Sequence, residues 1–251
     1  MSQLLSKNQI KLIRSLKQRK YRYKLQKYIL EGEKMILELS NVDPAKIDFI
    51  VVDENSNFPS SDNLFRTSGK TFKELSSLMN PQGVLAVCNI PDYYWEQATV
   101  RNQFSVFLDG IQDPGNLGTI IRSSDWFGIT NVLIGPGTVD PFNEKAVQAS
   151  MSSLFNIKLS MVSYEFLRTS GVKMLSADMK GEDAYTFDWP DEGILIMGNE
   201  GNGISRFVQE LNPERITIPS SRKSFSESLN VSMAYTSLLT LRSVKLRGRK
   251  G

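Results

Sequence analysis

Residues 193–205 read "GILIMGNEGNGIS". The first six carry no charge and have the length and apolar character of a buried strand. A turn with Gly198, Gly201 and Gly203 follows, and glycines let backbone approach a ligand closely. A strand running into such a turn is how open parallel sheets build ligand loops beyond their carboxyl ends. The spacing is G-x-x-G-x-G, not the dinucleotide fingerprint G-x-G-x-x-G, and too little chain follows for a complete doubly wound domain. No G-K-[S/T] follows either, so this is no phosphate-binding P-loop. A nucleotide-dependent oxidoreductase is therefore set aside. Alone, the turn is equally a structural punctuation mark.

Working outward, "FSVFLDG" (104–110), "NVLIG" (131–135), "KMLSA" (173–177) and "RITIP" (215–219) also read as strands. Helical patterns fall between them at 119–127, 144–154, 164–169 and 205–211. A last helix follows Asn230, where Val231, Ala234, Leu238 and Leu241 recur at helical spacing. Five strands alternating with helices predict an α/β fold with a parallel sheet and helices on both faces. Upstream, "FIVVD" (49–53) and "GVLAVCNI" (83–90) read as strands around a helix at 71–79. The polar, aromatic stretch 89–103 reads as a linker. Two domains are expected, a small α/β domain over 1–98 and a larger one over 104–251.

Composition narrows the chemistry. The 251 residues are 40% apolar, with mean hydropathy slightly below zero, as in soluble globular proteins. No stretch approaches a membrane span, and the basic N-terminus lacks the apolar segment of a secretory signal. The single cysteine, Cys88, sits in a buried strand and suggests a reducing, cytoplasmic setting. There is no histidine, which excludes Ser-His-Asp and Cys-His catalysis and makes a metal site unexpected.

The net charge of +3 is unevenly spread. Lys7, Lys11, Arg14, Lys17, Arg19, Lys20, Arg22, Lys24 and Lys27 precede the first acid, Glu31, leaving 21 basic against 27 acidic residues elsewhere. The tail adds Arg242, Lys245, Arg247, Arg249 and Lys250. Basic ends on an acidic body point to a polyanion. Tyr21, Tyr23 and Tyr28 interleave with the charges, which suits stacking on unpaired bases. Lys7, Lys11, Arg14, Arg19, Lys20 and Arg22 are the candidate RNA contacts; the alternative is a solvated helix face.

Two further turns resemble the first in chemistry. "LDGIQDPGNLGTIIRSSDWFG" (108–128) makes a tight turn with Pro114, Gly115 and Gly118. It carries Asn116, and Arg122 lies in the helix beyond, where pairing with Asp125 or Trp126 is the bland alternative. "IPSSRKSFSESLNVS" (218–232) sets Ser226, Ser228 and Asn230 beside Ile218 and Leu229. That mixture of apolar walls and hydrogen-bonding groups suits a nucleoside, although Ser and Asn also cap helices.

In order and spacing, "DPGNLGTIIRSSDWFG", "GNEGNGIS" and "IPSSRKSFSESLNVSMA" resemble the three motifs of the SpoU-type (TrmH-like) RNA ribose 2′-O-methyltransferases of the SPOUT superfamily, over residues 104 to about 246. The N-terminal part resembles the small RNA-binding domain that often precedes that catalytic domain. The resemblance implies a C-terminal deep trefoil knot and a homodimer with its active sites at the interface. It implies S-adenosylmethionine held by Asp178, Gly198, Gly201, Ile218 and Leu229. It implies catalytic roles for Arg122, Asn116, Glu200, Ser228 and Asn230, no metal, and ribosomal RNA as substrate ahead of transfer RNA. Guanidinium does not deprotonate, so Arg122 is expected to bind phosphate and stabilise alkoxide charge, the proton leaving through phosphate, water or Glu200. Ser152 and Ser220 depart from the family pattern, which often has Gly and Met there. The alternative is a non-catalytic RNA-binding or ribosome-assembly protein on the same fold.

Overall fold

A computed structural model describes residues 3–94, 99–221 and 228–249. Part of the expected linker (95–98), Ser226 in the third turn, and Lys250 in the tail lie outside the described residues. The chain forms two compact units, one of Met1–Pro91 with Asp140–Phe155, the other of Asp92–Val139 with Asn156–Gly251.

In chain order, the first unit begins with β1 (Gln3–Leu4), α1 (Lys7–Leu16), α2 (Arg19–Leu25), β2 (Lys27–Glu31), α3 (Glu33–Val42), β3 (Ile47–Asp53), β4 (Leu64–Thr67), α4 (Gly69–Leu75) and β5 (Val84–Asn89). The second unit contributes β6 (Phe104–Asp109), α5 (Pro114–Trp126) and β7 (Asn131–Ile134). The chain then visits the first unit again with α6 (Glu144–Ser150). It closes with β8 (Lys158–Met161), α7 (Tyr164–Thr169), β9 (Met174–Asp183), β10 (Gly193–Gly198), α8 (Arg206–Glu210), β11 (Glu214–Thr217) and α9 (Val231–Gly248). Residues 140–155, placed by their helical pattern in the larger domain, thus pack with the smaller unit.

The first unit has a mixed sheet in the order β1-β4-β3-β5-β2. β5 runs antiparallel to both β2 and β3. Ser6 and Gln9 cap α1 reciprocally, Ser6 N–H donating to Gln9 Oε1 at 2.9 Å and Gln9 N–H to Ser6 Oγ at 3.3 Å, so the helix starts where its apolar stripe starts. Ile13 and Leu16 then pack fully buried against Ile29, Val51, Phe72 and Leu85.

The basic N-terminus is not one uniform surface. Lys7, Lys11, Arg19 and Lys20 are exposed, and Arg19 lies 5.3 Å over the Tyr23 ring. Arg14 is held by Glu74 at 2.7 Å. Arg22 corrects the expectation: only 3% exposed, it is no RNA contact. Its Nε donates to Asp140 Oδ2 at 2.7 Å and its Nη1 to the Leu16 and Lys17 carbonyls at 2.8 and 3.1 Å. Asp140 Oδ1 accepts from Tyr23 Oη at 2.8 Å and Phe142 N–H at 2.9 Å. The guanidinium fork satisfies the last carbonyls of α1 and the carboxylate together, a task for which Arg is better shaped than Lys.

The second unit has a sheet in the order β11-β9-β10-β6-β7-β8, with every pairing parallel. Six strands appear where the pattern predicted five. The sixth, β8, is only "KLSM", and its buried Ser160 breaks the apolar run. β6 and β7 are buried along their whole length, as expected for strands covered on both faces. On one face Phe107, Leu133, Ile194 and Ile196 pack with Leu167 of α7 and Val208 of α8. On the other, α5 and α9 lie side by side, joined by Ser123–Thr236 and Ser124–Tyr235 hydroxyl pairs, each at 2.8 Å. No helix among the described residues is long and apolar enough to cross a membrane.

Candidate active site

The starts of α5 and α9 and the turn after β10 meet at the carboxyl pole of the parallel sheet. Asp113 caps α5 by accepting from Asn116 N–H at 2.9 Å, which leaves the Asn116 side chain free to project. Its Nδ2 donates to Glu200 Oε1 at 2.9 Å. Its Oδ1 accepts from Asn230 Nδ2 at 3.0 Å and Ser232 Oγ at 3.3 Å. A carboxylate only accepts, so Glu200 fixes which way the Asn116 amide faces. Asn230 Oδ1 meanwhile caps α9 through Ser232 N–H at 3.0 Å and Met233 N–H at 3.3 Å. Ser or Asp would cap equally well, but neither has an amide donor left for Asn116. One amide therefore ties together three motifs that are far apart in sequence.

The remaining expected residues fall around this chain unequally. Gly198 packs against its own turn: a Cβ there would lie 2.4 Å from the Gly203 carbonyl carbon and 2.5 Å from Ile204 N. At Gly201 a Cβ would meet only ordinary contact, 3.6 Å from Asn199 Oδ1. Asp178 accepts from Lys180 N–H at 3.1 Å and faces Arg215 Nε at 3.9 Å. β9 lies between β10 and β11, so Asp178, Gly198 and the half-buried Ile218 share the pole. Leu229 is 54% exposed beside Asn230. An exposed apolar side chain, a carboxylate and a glycine turn are the mixture of groups that suits a nucleoside-bearing ligand. Ser228 is exposed at the same turn.

Arg122 stands apart. It is exposed and makes no hydrogen bond or ion pair with the described residues, so neither Asp125 nor Trp126 engages it. Six residues after Asn116 on α5, it projects about 120° around the helix from that side chain. The chain thus joins Asn116, Glu200 and Asn230 but leaves Arg122 facing outward.

Sequence reasoning missed Asp109. It ends β6, is 2% exposed, and accepts from Tyr164 Oη at 2.8 Å and Ser205 N–H at 2.6 Å. Burial raises the Tyr164 hydroxyl above its ordinary pKa, keeping it a donor. An acid closing an apolar strand was the available signal. A cleft of about 140 Å³ lined by Phe127, Ile129, Leu239, Arg242, Ser243, Leu246 and Arg247 lies at the opposite, amino-terminal pole, far from the chain of amides. Among the described residues no group of three His, Cys, Asp or Glu side chains is placed to hold a metal ion.

Comparison with known proteins places the chain in a family. The sequence pattern of the SpoU rRNA Methylase family matches residues 103–240, and that of the MRM3-like substrate binding domain matches residues 7–86. A 23S rRNA (guanosine(2553)-2′-O)-methyltransferase of Bacillus subtilis is 32% identical over 91% of this chain and 94% of its own length. A TrmH-family protein of Porphyromonas gingivalis is 35% identical, superposing with a TM-score of 0.82 over 95% of this chain and 98% of its own. An AdoMet-bound rRNA methyltransferase of Sinorhizobium meliloti is 25% identical, with a TM-score of 0.83 over 97% of both chains. With more than half its length matched and the fold shared end to end, this chain belongs to the SpoU rRNA methylase family.

Proposed function

We propose that the protein transfers a methyl group from S-adenosylmethionine to a ribose 2′-hydroxyl of ribosomal RNA. The observation that carries this reading is the Glu200–Asn116–Asn230 chain, which closes three motifs over the pole where the sheet's carboxyl ends converge. The Bacillus subtilis relative, named for ribose 2′-O-methylation of 23S rRNA, supports the substrate. The AdoMet-bound relative supports the donor.

S-adenosylmethionine supplies an already activated methyl group, so the residues mainly position the nucleophile and manage its proton. Asp178, Gly198, Gly201, Ile218 and Leu229 would hold the cofactor. Glu200 Oε1 is engaged by Asn116, while Oε2 has no partner among the described residues and is open to the 2′-hydroxyl proton. Ser228 and Asn230 line the same turn. Arg122 contributes a fixed positive charge for a phosphate and for developing alkoxide.

The outward placement of Arg122 supports a homodimer in which it serves the partner's site. α5 and α9 also expose Trp126 at 84% and Met233 at 62%, apolar surface suited to a partner. The chain leaves the edge strand β11 and returns to pack α9 on α5, a path that supports the C-terminal trefoil knot. Exposed Lys7, Lys11, Arg19 and Lys20, with Tyr23, support an RNA-binding role for the smaller unit. The single buried cysteine accords with a cytoplasmic setting.

Calorimetric titration with S-adenosylmethionine, followed by transfer to unmethylated ribosomal and transfer RNA pools, tests the reading. Binding with label in ribosomal RNA is expected. Label in transfer RNA alone corrects the substrate, and RNA binding without cofactor binding favours the assembly-protein alternative.

A further inference from the structure

Asn199 sits beside Glu200 and builds the turn that carries it. Its Nδ2 donates to the Gly110 carbonyl at 2.9 Å, crossing to the segment after β6. Its Oδ1 accepts from both Gly201 N–H and Asn202 N–H at 3.0 Å. Its backbone exchanges two bonds with Gly203, each 2.9 Å. Five hydrogen bonds thus meet at one residue, which is far more than a turn needs. The other end of the turn is fixed separately, through Ser205 N–H on Asp109. Both ends of the loop are therefore pinned to residues 109–110, the segment that leads into Asn116.

The consequence falls on Glu200. It is exposed, and its only hydrogen bond among the described residues is the one from Asn116. A solvated carboxylate on a Gly-rich turn samples many positions unless its backbone is held. Asn199 holds it from both sides, by the 199–203 bridge and by the amide caps on residues 201 and 202. The set needs an amide of this reach, since glutamine places the same groups one methylene further out. Asp lacks the donor for Gly110, and Ser lacks the reach to accept two backbone donors while donating across the sheet.

We infer that Asn199 is a positioning residue for the methyl transfer, acting through Glu200 by fixing the turn so that the free carboxylate oxygen faces the 2′-hydroxyl. The inference rests on the proposed role of Glu200 as proton acceptor. It predicts that losing the Asn199 amide lowers kcat at saturating S-adenosylmethionine without weakening RNA binding; because the same amide caps Gly201 N–H, cofactor affinity is read separately from the reacting geometry. Misplacement on the order of 1 Å costs about 100-fold in such cases.

A double-mutant cycle on the full-length protein decides it. Asn199→Ala, Glu200→Gln and the double variant are compared for kcat, for KM toward RNA, and for S-adenosylmethionine affinity, with melting temperature as the folding check. Asn199→Ala is expected to lower kcat by about 10- to 100-fold at unchanged KM. In the Glu200→Gln background it is expected to change kcat less than twofold, because the group it positions is gone. If Glu200→Gln retains wild-type kcat, the role of Glu200 fails and the positioning role falls with it. If Glu200→Gln is impaired but Asn199→Ala is silent, or its effect is fully additive, Asn199 positions something other than Glu200 and the inference is overturned. Asn199→Ser guards against misfolding: it retains a capping oxygen and is expected to recover part of kcat.

Discussion

Asn116 and Asn230 lie 114 residues apart and share a 3.0 Å hydrogen bond. The same Asn116 amide donates to Glu200, so the bond joins the first motif to the last while the middle one is held from the other side. Asn116→Ala breaks both links. It is expected to cut methyl transfer by about 100-fold and to change stability by no more than about 1 kcal/mol, since the amide is half-exposed. Asn116→Asp is expected to be worse than Ala in activity, because it sets a second carboxylate against Glu200. Side-by-side kinetics and melting curves check both.

Arg122→Ala is expected to leave stability within about 0.5 kcal/mol, because the side chain is exposed and unpaired among the described residues. It is expected to lower kcat by about 100- to 1,000-fold. Arg122→Lys keeps the charge and loses the fork, so full activity in that variant would contradict bidentate phosphate contact. Mixing Arg122→Ala with Asn116→Ala protein is expected to restore activity if each site draws on two protomers. No recovery after subunit exchange would place both residues in one protomer's site.

Arg22 and Asp140 are each 3% exposed and bonded at 2.5–2.7 Å. Arg22→Met leaves the carboxylate buried without its cation and is expected to destabilise by about 3–5 kcal/mol. Replacing both, Arg22→Met with Asp140→Leu, is expected to recover much of that loss. Denaturant titration of the three proteins measures the coupling.

Glu31 is 5% exposed. Burial raises its pKa above the ordinary 4.5, and the nearby Glu144 adds to this, while hydrogen bonds from Ser76 and Ser77 and the charge of Lys17 oppose it. A raised folded-state pKa means its stabilising contribution is complete below about pH 4.5 and is lost as pH rises through the folded value. Glu31→Gln cannot ionise, so its melting temperature relative to wild type is expected to rise with pH across that window. A constant difference would mean that Glu31 is not the titrating group.

How far the sequence carried depended on the kind of contact. β6 and β10 were legible because strands covered on both faces must be continuously apolar. β8 was not, because four residues with a buried Ser160 give no pattern. β2 was missed for a related reason: it is buried at four successive residues but opens with Lys27 in a basic run. Residues 140–155 show an ordinary helical pattern, and nothing local says that Asp140 answers to Arg22, 118 residues away. Arg22 itself was misread because identical charges in a run look alike until burial separates them. At the active site the three motifs were legible as residues. Their union through one amide, and the supporting roles of Asp109 and Asn199, depend on contacts that no spacing encodes.

The central claim is tested most directly by mass analysis of nucleosides from unmethylated ribosomal RNA treated with the protein and labelled S-adenosylmethionine. The account predicts a single labelled 2′-O-methylnucleoside with wild-type protein, and its loss with Asn116→Ala or Arg122→Ala at unchanged folding. Label on a base, or ribose label that survives both substitutions, would contradict it.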